Sequence, residues 1–125
     1  MVNALFNEPN YLAAKKTLDA VALRQEAIAS NIANLETPGY KRLDLAPSFQ
    51  IELDRACATG DVRQIAALQP SLAPDSTAVP NGPDGNNVSL EKEMAQLSQN
   101  TLVHNLETQL VSNMLLRLRT AITAK

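Results

Sequence analysis

The amino-acid sequence predicts a mainly α protein. Two long terminal helices pair as an antiparallel coiled-coil hairpin, and an irregular middle segment joins them. Three observations carry this. All four glycines and six of the seven prolines fall between Pro38 and Gly85, with Pro9 the exception. Gly and Pro interrupt helices, so the chain divides into an N-terminal helix and turn (1–40), a connecting segment (41–89) and a C-terminal helix (90–125). Both end segments repeat apolar residues at alternating spacings of three and four, the mark of a helix with one buried seam. Aromatics make up only 3% of the chain, namely Phe6, Tyr11, Tyr40 and Phe49, with no Trp. A core of Leu, Ile, Val and Ala suits helix-on-helix packing better than a β-sandwich.

The first helix is predicted over 9–34. Its seam reads Tyr11, Ala14, Leu18, Val21, Gln25, Ile28, Ile32 and Leu35, with Gln25 the one clearly polar member. Asn7, Glu8 and Pro9 fit a cap and first turn. At 1.5 Å per residue the rod is about 35–40 Å long. The opposite face carries small residues, Ala20, Ala27 and Ser30 near Leu12 and Leu23, which let a second helix approach closely.

The second helix is predicted over 90–121, with Ser89 as N-cap. Glu91 and Glu93 near its start and Arg117 and Arg119 near its end complement the helix dipole. One seam reads Leu90, Met94, Leu97, Thr101, His104, Thr108, Val111, Leu115, Leu118 and Ile122. A second stripe, Leu102, Leu106, Leu110 and Met114, lies roughly opposite. A helix apolar on two faces must bury both, and the first helix covers only one. Large side chains left in water forgo about 1.5–3 kcal/mol each. Either the middle segment folds over them or other subunits do, and the pattern favours other subunits.

The middle is polar and broken. Two short helices are expected, over 48–59 with Phe49, Leu53 and Cys57 on one face, and over 61–69 with Val62, Ile65 and Leu68. The stretch 70–88 reads as extended or disordered chain, a strap or mobile linker.

The formal net charge is −2 and the pI about 5.3, so nothing draws the chain to nucleic acid or an anionic membrane. No apolar run approaches a membrane span, so no direct membrane insertion is expected. The N-terminal residues lack the basic and apolar regions of a cleaved secretory signal. Cys57 is the only cysteine, lacks a basic neighbourhood to activate it, and reads as a small apolar residue. His104, the only histidine, has no nucleophile or ligand set beside it and reads as a packed or interfacial residue. In the segment Asp84-Gly85-Asn86-Asn87, Val88 and Leu90 occupy positions that a calcium loop fills with oxygen ligands. No cofactor, metal site or catalytic constellation is expected. Lys41-Arg42 is expected to be a solvated turn, with an acidic neighbouring subunit as the alternative contact.

The segment Ala29-Ser30-Asn31-Ile32-Ala33-Asn34-Leu35-Glu36-Thr37-Pro38-Gly39-Tyr40 closes the first helix. Asn34 is a helix terminator. Pro38 and Gly39 fit the two central positions of a type II turn, where Gly supplies positive φ. Tyr40 is then placed to dock on the adjacent apolar surface. A stop signal explains Pro38 and Gly39 but not Asn31 and Asn34 at helical spacing. This segment resembles the signature shared by bacterial flagellar axial proteins, the rod, hook and hook-associated subunits, where it also follows an N-terminal heptad helix. Asp84-Gly85-Asn86-Asn87-Val88, with Leu90 and Glu93-Met94-Ala95-Gln96-Leu97, resembles the start of the C-terminal helix in the proximal-rod branch. The resemblance covers about 1–45 and 82–125. The short middle argues against the hook and distal-rod proteins, which carry large inserted domains.

The resemblance implies a structural subunit that polymerises through helix packing and transmits torque, with no enzymatic activity. It implies export without a cleaved signal peptide and assembly in the periplasmic rod of the basal body. The expected partners are further copies of the chain, other flagellar rod proteins, and a membrane-ring or export-gate adaptor. Leu18, Val21, Ile28, Ile32, Leu102, Leu106, Leu110 and Met114 are the expected subunit-interface residues. Asn31, Asn34, Thr37, Pro38, Gly39 and Tyr40 form the turn motif. A small coiled-coil adaptor or secretion chaperone is the alternative, since heptads alone suit it equally. It has no reason to carry the turn motif together with the segment 84–88.

Overall fold

A computed structural model describes residues 6–124. The first five residues of the segment 1–40, which open the stretch read for a secretory signal, and Lys125 of the segment 90–125 lie outside it. The chain order is α1 (Pro9–Ala33), β1 (Leu43–Leu45), α2 (Pro47–Thr59), α3 (Val62–Ala67), β2 (Leu72–Pro74) and α4 (Leu90–Thr123). The fold is mainly α, as its sequence periodicity predicts, with two long end helices packed on one another.

The two long helices run antiparallel. Asn31 near the end of α1 meets Glu93 at the start of α4, and Gln25 meets Asn100 further along. At the far end Phe6, Glu8 and Tyr11 share a recess with Met114, Leu115 and Leu118. Pro9 opens α1 at a position where its missing N–H has no helical partner to lose. Helix α4 runs to Thr123, so Arg117 and Arg119 lie inside it and do not cap its last turn.

The face of α4 turned to α1 differs from the expected seam. Glu93 and Asn100 are buried, and Glu107 and Met114, each seven residues further on, are half-buried. Leu97, Val103, Val111 and Leu118 fill in between, also half-buried. Thr101 and His104 stand exposed at the rim of this seam beside Val21, Ala22 and Gln25, and Thr108 is exposed. Apolar periodicity pointed to a face rotated by part of a turn because the positions nearest α1 are polar. Met114 accordingly lies against the start of α1, apart from the exposed Leu102, Leu106 and Leu110.

The short helices of the middle segment fold over α1 on a face beside the one that meets α4. Ala20 of α1 packs with Phe49, Leu53 and Ala56 of α2 and Ile65 of α3, joined by Leu12, Ala13, Leu45 and Leu68. The small side chains of α1 permit this approach. Ala56 takes the inward place expected of Cys57, which is exposed. Gly60 ends α2 in the left-handed conformation, and the Asp61 carboxylate caps α3 by accepting from the Arg63 and Gln64 N–H groups.

The stretch 70–88 takes the extended, strap-like form, one of the two its composition allows. β2 pairs antiparallel with β1, Leu43 opposite Pro74 and Leu45 opposite Leu72. The ladder continues from the Ala46 N–H to the Ser71 carbonyl and from the Asp75 N–H to the Arg42 carbonyl. Strands of three residues leave too short a pattern for period-two alternation to show. With the middle on α1, α4 keeps α1 as its one extensive neighbour among the described elements.

Candidate functional site

The end of the hairpin where α1 turns back is held by one continuous polar node. It begins with the turn itself. The Tyr40 N–H donates to the Thr37 carbonyl at 3.2 Å, and Gly39, at the third position of this turn, has φ +74°. Asn34, the C-cap of α1, donates from its side chain to the Ser30 carbonyl at 2.8 Å and accepts from the Thr37 hydroxyl at 3.1 Å.

Asn31 sits at the centre and is fully buried. Its amide nitrogen donates to the Leu43 carbonyl at 2.8 Å and to Glu93 Oε2 at 3.2 Å. Its oxygen accepts from the Leu43 N–H at 2.9 Å and the Tyr40 hydroxyl at 3.2 Å. A carboxamide has two donors and two acceptor sites, so all are used. The paired bonds to Leu43 imitate a neighbouring strand along the free edge of β1. Tyr40 gives its only hydroxyl hydrogen to Asn31, so Ser30 is the donor in its 2.9 Å contact with Tyr40. The tyrosine thus ends on polar groups of α1.

The segment 84–88 closes over the same turn. The Asn86 amide nitrogen lies 2.8–3.1 Å from the carbonyls of Asn34, Leu35 and Thr37, adding a donor to acceptors just past the helix end, of which Asn34 and Thr37 also take a turn N–H. The Asp84 carbonyl accepts from the Gly39 N–H at 2.9 Å, and the Gly85 carbonyl accepts from Lys41 Nζ at 2.6 Å. Asn87 Oδ1 accepts from the Arg42 N–H at 2.6 Å. The two sequence motifs, read separately, are the two halves of one clasp.

Arg42 overturns the expectation of a solvated turn, being 6% exposed. Its Nε donates to Glu93 Oε1, and its Nη1 lies 2.9 Å from both Asp44 and Asp75 carboxylates. Arg24 of α1 donates to the other oxygen of Asp44 at 2.8 Å. Residues next to Arg42 in sequence gave no hint of this, because Glu93 is 51 positions away. Burial opposes charge on Arg42 and Asp44, but the hydrogen bonds joining them to each other and to Glu93 and Arg24 prevail. Arg42 is held above its ordinary pKa and Asp44 below the ordinary 3.8. The hydrogen bond from the Thr77 hydroxyl leads in lowering Asp75, against burial and with help from Arg42. These depressed carboxylates contribute stability that is complete above pH 3.8 and is lost as pH falls through their folded values. Among the described residues no group of three or more His, Cys, Asp or Glu is arranged to hold a metal ion.

The turn makes a direct prediction. A Cβ on Gly39 would meet nothing within 4 Å, so Gly39→Val adds backbone strain without a clash, about 1–3 kcal/mol. Thr37→Ala removes one exposed hydroxyl bond and should change stability by less than about 0.5 kcal/mol. Thermal melts of both variants check this. If Thr37→Ala is the more damaged of the two, side-chain contacts, not positive φ, govern the turn.

Of the residues expected at subunit interfaces, Val21 and Ile28 are buried within the chain, 7% and 2% exposed. Leu18, Ile32 and Met114 are half-buried. Leu102, Leu106 and Leu110 are 59%, 58% and 44% exposed. The polar roles of Arg42, Asn86 and Glu93 were missed, although Asn31 and Asn34 at helical spacing had signalled that the helix end does more than stop.

A family model described as flagella basal body rod protein matches residues 12–41, from the first turns of α1 through the Pro38-Gly39 turn. The chain is 31% identical over 115 residues to the flagellar basal body rod protein FlgB of Borrelia hermsii, covering 78% of this chain and 83% of that one. It is 31% identical to FlgB of Escherichia coli, with 78% and 81% covered, and 35% identical to FlgB of Yersinia enterocolitica, with 70% and 74% covered. At these identities and coverages the chain belongs to the FlgB family of flagellar basal body rod proteins.

Proposed function

We propose that this chain is a structural subunit of the proximal flagellar rod, polymerising through helix packing so that torque passes along many shared interfaces. One observation carries the reading beyond family membership. Helix α4 leaves Leu102, Leu106 and Leu110 exposed, and none of the other described elements folds over them. The accessible surface is 8243 Å², against about 6,500 Å² expected of a compact monomer of this mass. A neighbour that buries each leucine recovers about 1.5–3 kcal/mol per side chain. Further copies and other rod proteins are the proposed neighbours along this stripe, with the half-buried Leu18, Ile32 and Met114 proposed as separate, smaller contacts. A membrane-ring or export-gate adaptor is the proposed partner at the base. The proposed site is the periplasmic rod, reached by export without a cleaved signal peptide. No helix among the described residues is long and apolar enough to cross a membrane. The buried node serves this role mechanically by fixing the two arms to each other. The relatives are rod proteins, which favours this reading over a secretion chaperone or an enzyme.

Leu106→Glu tests it. A carboxylate in a dry helix interface is strongly unfavourable, so the variant should be secreted normally yet fail to form rods, and cells carrying it should not swim. Secretion blots and electron microscopy of basal bodies give the readouts. Normal swimming would remove the leucine stripe from the assembly interface.

A further inference from the structure

The first half of α4 is inside out. Its buried positions are Glu93 and Asn100, while Leu102, Leu106 and Leu110 face solvent. Helix packing ordinarily buries the apolar stripe and exposes the polar one. From Asn100, Leu110, Leu106 and Leu102 lie about 80°, 120° and 160° around the helix, so a roll of roughly a third of a turn would set α1 on the leucines. Burying the leucines favours that roll, although it would uncover Leu97, Val111 and Leu118, now half-buried against α1.

What opposes it is polar pairing. The Asn100 amide donates to the Val21 carbonyl at 3.1 Å and to Gln25 Oε1 at 3.0 Å. Glu93 accepts from Asn31 and Arg42. Each bond exists only when α1 lies on this face of α4. Polar residues in a helix seam specify register and partner while lowering stability. We infer that Asn100, through Gln25 and the Val21 carbonyl, together with Glu93, selects the face of α4 that α1 covers and so keeps the Leu102–Leu106–Leu110 stripe open in the free subunit. The stripe's use by neighbours rests on the function proposed above, but the choice of face within one chain does not.

The test uses the full chain in dilute solution, with light scattering to establish a monomer. Cys57 is exposed, so it is replaced by Cys57→Ser, and Leu106→Cys becomes the reporter for a maleimide. With Asn100 and Gln25 intact, the reporter labels as a free surface thiol. With Asn100→Ala and Gln25→Ala added, α1 moves onto the stripe and labelling slows on the order of tenfold or more, the protection of a site that reacts only on opening. Unchanged or faster labelling with helical circular dichroism retained overturns the inference. Should the double variant lose its helical signal, the single Asn100→Ser, which removes the same bonds with less disturbance, must slow labelling in the same direction, and its failure to do so is equally decisive. Leu106→Glu reports on docking and the thiol on face choice, so one reading can fail while the other stands.

Discussion

Glu93→Ala is expected to destabilise the free subunit by about 3–5 kcal/mol, the range for breaking a buried ion pair from one side. The carboxylate is fully buried and holds Arg42 with one oxygen and Asn31 with the other. Its loss leaves the Arg42 guanidinium with Asp44 and Asp75 alone, and turns one Asn31 donor towards an empty space. Glu93→Gln keeps the shape and an acceptor but removes the charge, and should fall between wild type and alanine. Urea titrations read by circular dichroism give the differences from midpoint shifts at a constant slope. Domains of this size are stable by about 5–15 kcal/mol, so the alanine variant approaches the unfolding threshold. A loss under about 1 kcal/mol, the range of exposed pairs, would show that the Arg42–Glu93 pair is hydrated in solution.

The second large effect belongs to Asn31. Asn31→Ala removes four hydrogen bonds and leaves both backbone groups of Leu43 without their partner. Unsatisfied buried groups carry about 1–3 kcal/mol each, and partial access of water to Leu43, which is half-buried, brings the expected total to about 2–4 kcal/mol. The specific signature is local. Hydrogen exchange at Leu43 should accelerate more than at the α2–α3 core, because Asn31 is what fastens the outer edge of β1. Asn31→Asp is no rescue, since it keeps the bond to the Leu43 N–H but sets a second carboxylate against Glu93. The variants Asn31→Ala and Glu93→Ala share a hydrogen bond, so their effects should add to less than their sum. Equal exchange rates at Leu43 in wild type and Asn31→Ala would mean that β1 is held by β2 without help from α1.

Much of this architecture is legible in the order of residues, and the limits have physical causes. Pro9, Ser89 and the cluster of Gly and Pro between them marked the long helices to within a few positions. Pro38-Gly39 marked the turn, because φ constraints are local. Which face of α4 meets α1 was not legible, since periodicity counts apolar residues and the contact positions there are Glu93 and Asn100. The burial of Arg42 was hidden for a related reason. A charge reads as solvated unless its partners are known, and Glu93 and Asp75 come from distant segments. The strands were invisible because their order derives from the pairing of Leu43–Leu45 with Leu72–Pro74, a tertiary event that three residues of pattern do not encode.

The clasp also sets the timing of folding. Its bonds join residues 44 to 62 positions apart, from Lys41 to Gly85 at the near limit and Asn31 to Glu93 at the far one. Long loops must close before any of these contacts contributes, and folding slows as contacts become less local. A chain so rich in helix would otherwise fold at the speed of local contacts. Here Asn31, Arg42 and the turn carbonyls have local partners in Leu43, Asp44 and the turn N–H groups, and gain the rest only when Asn86 and Glu93 arrive. Closing the clasp is therefore expected to be a late step, joining α4 and the segment 84–88 to a turn and strand whose own bonds are more local.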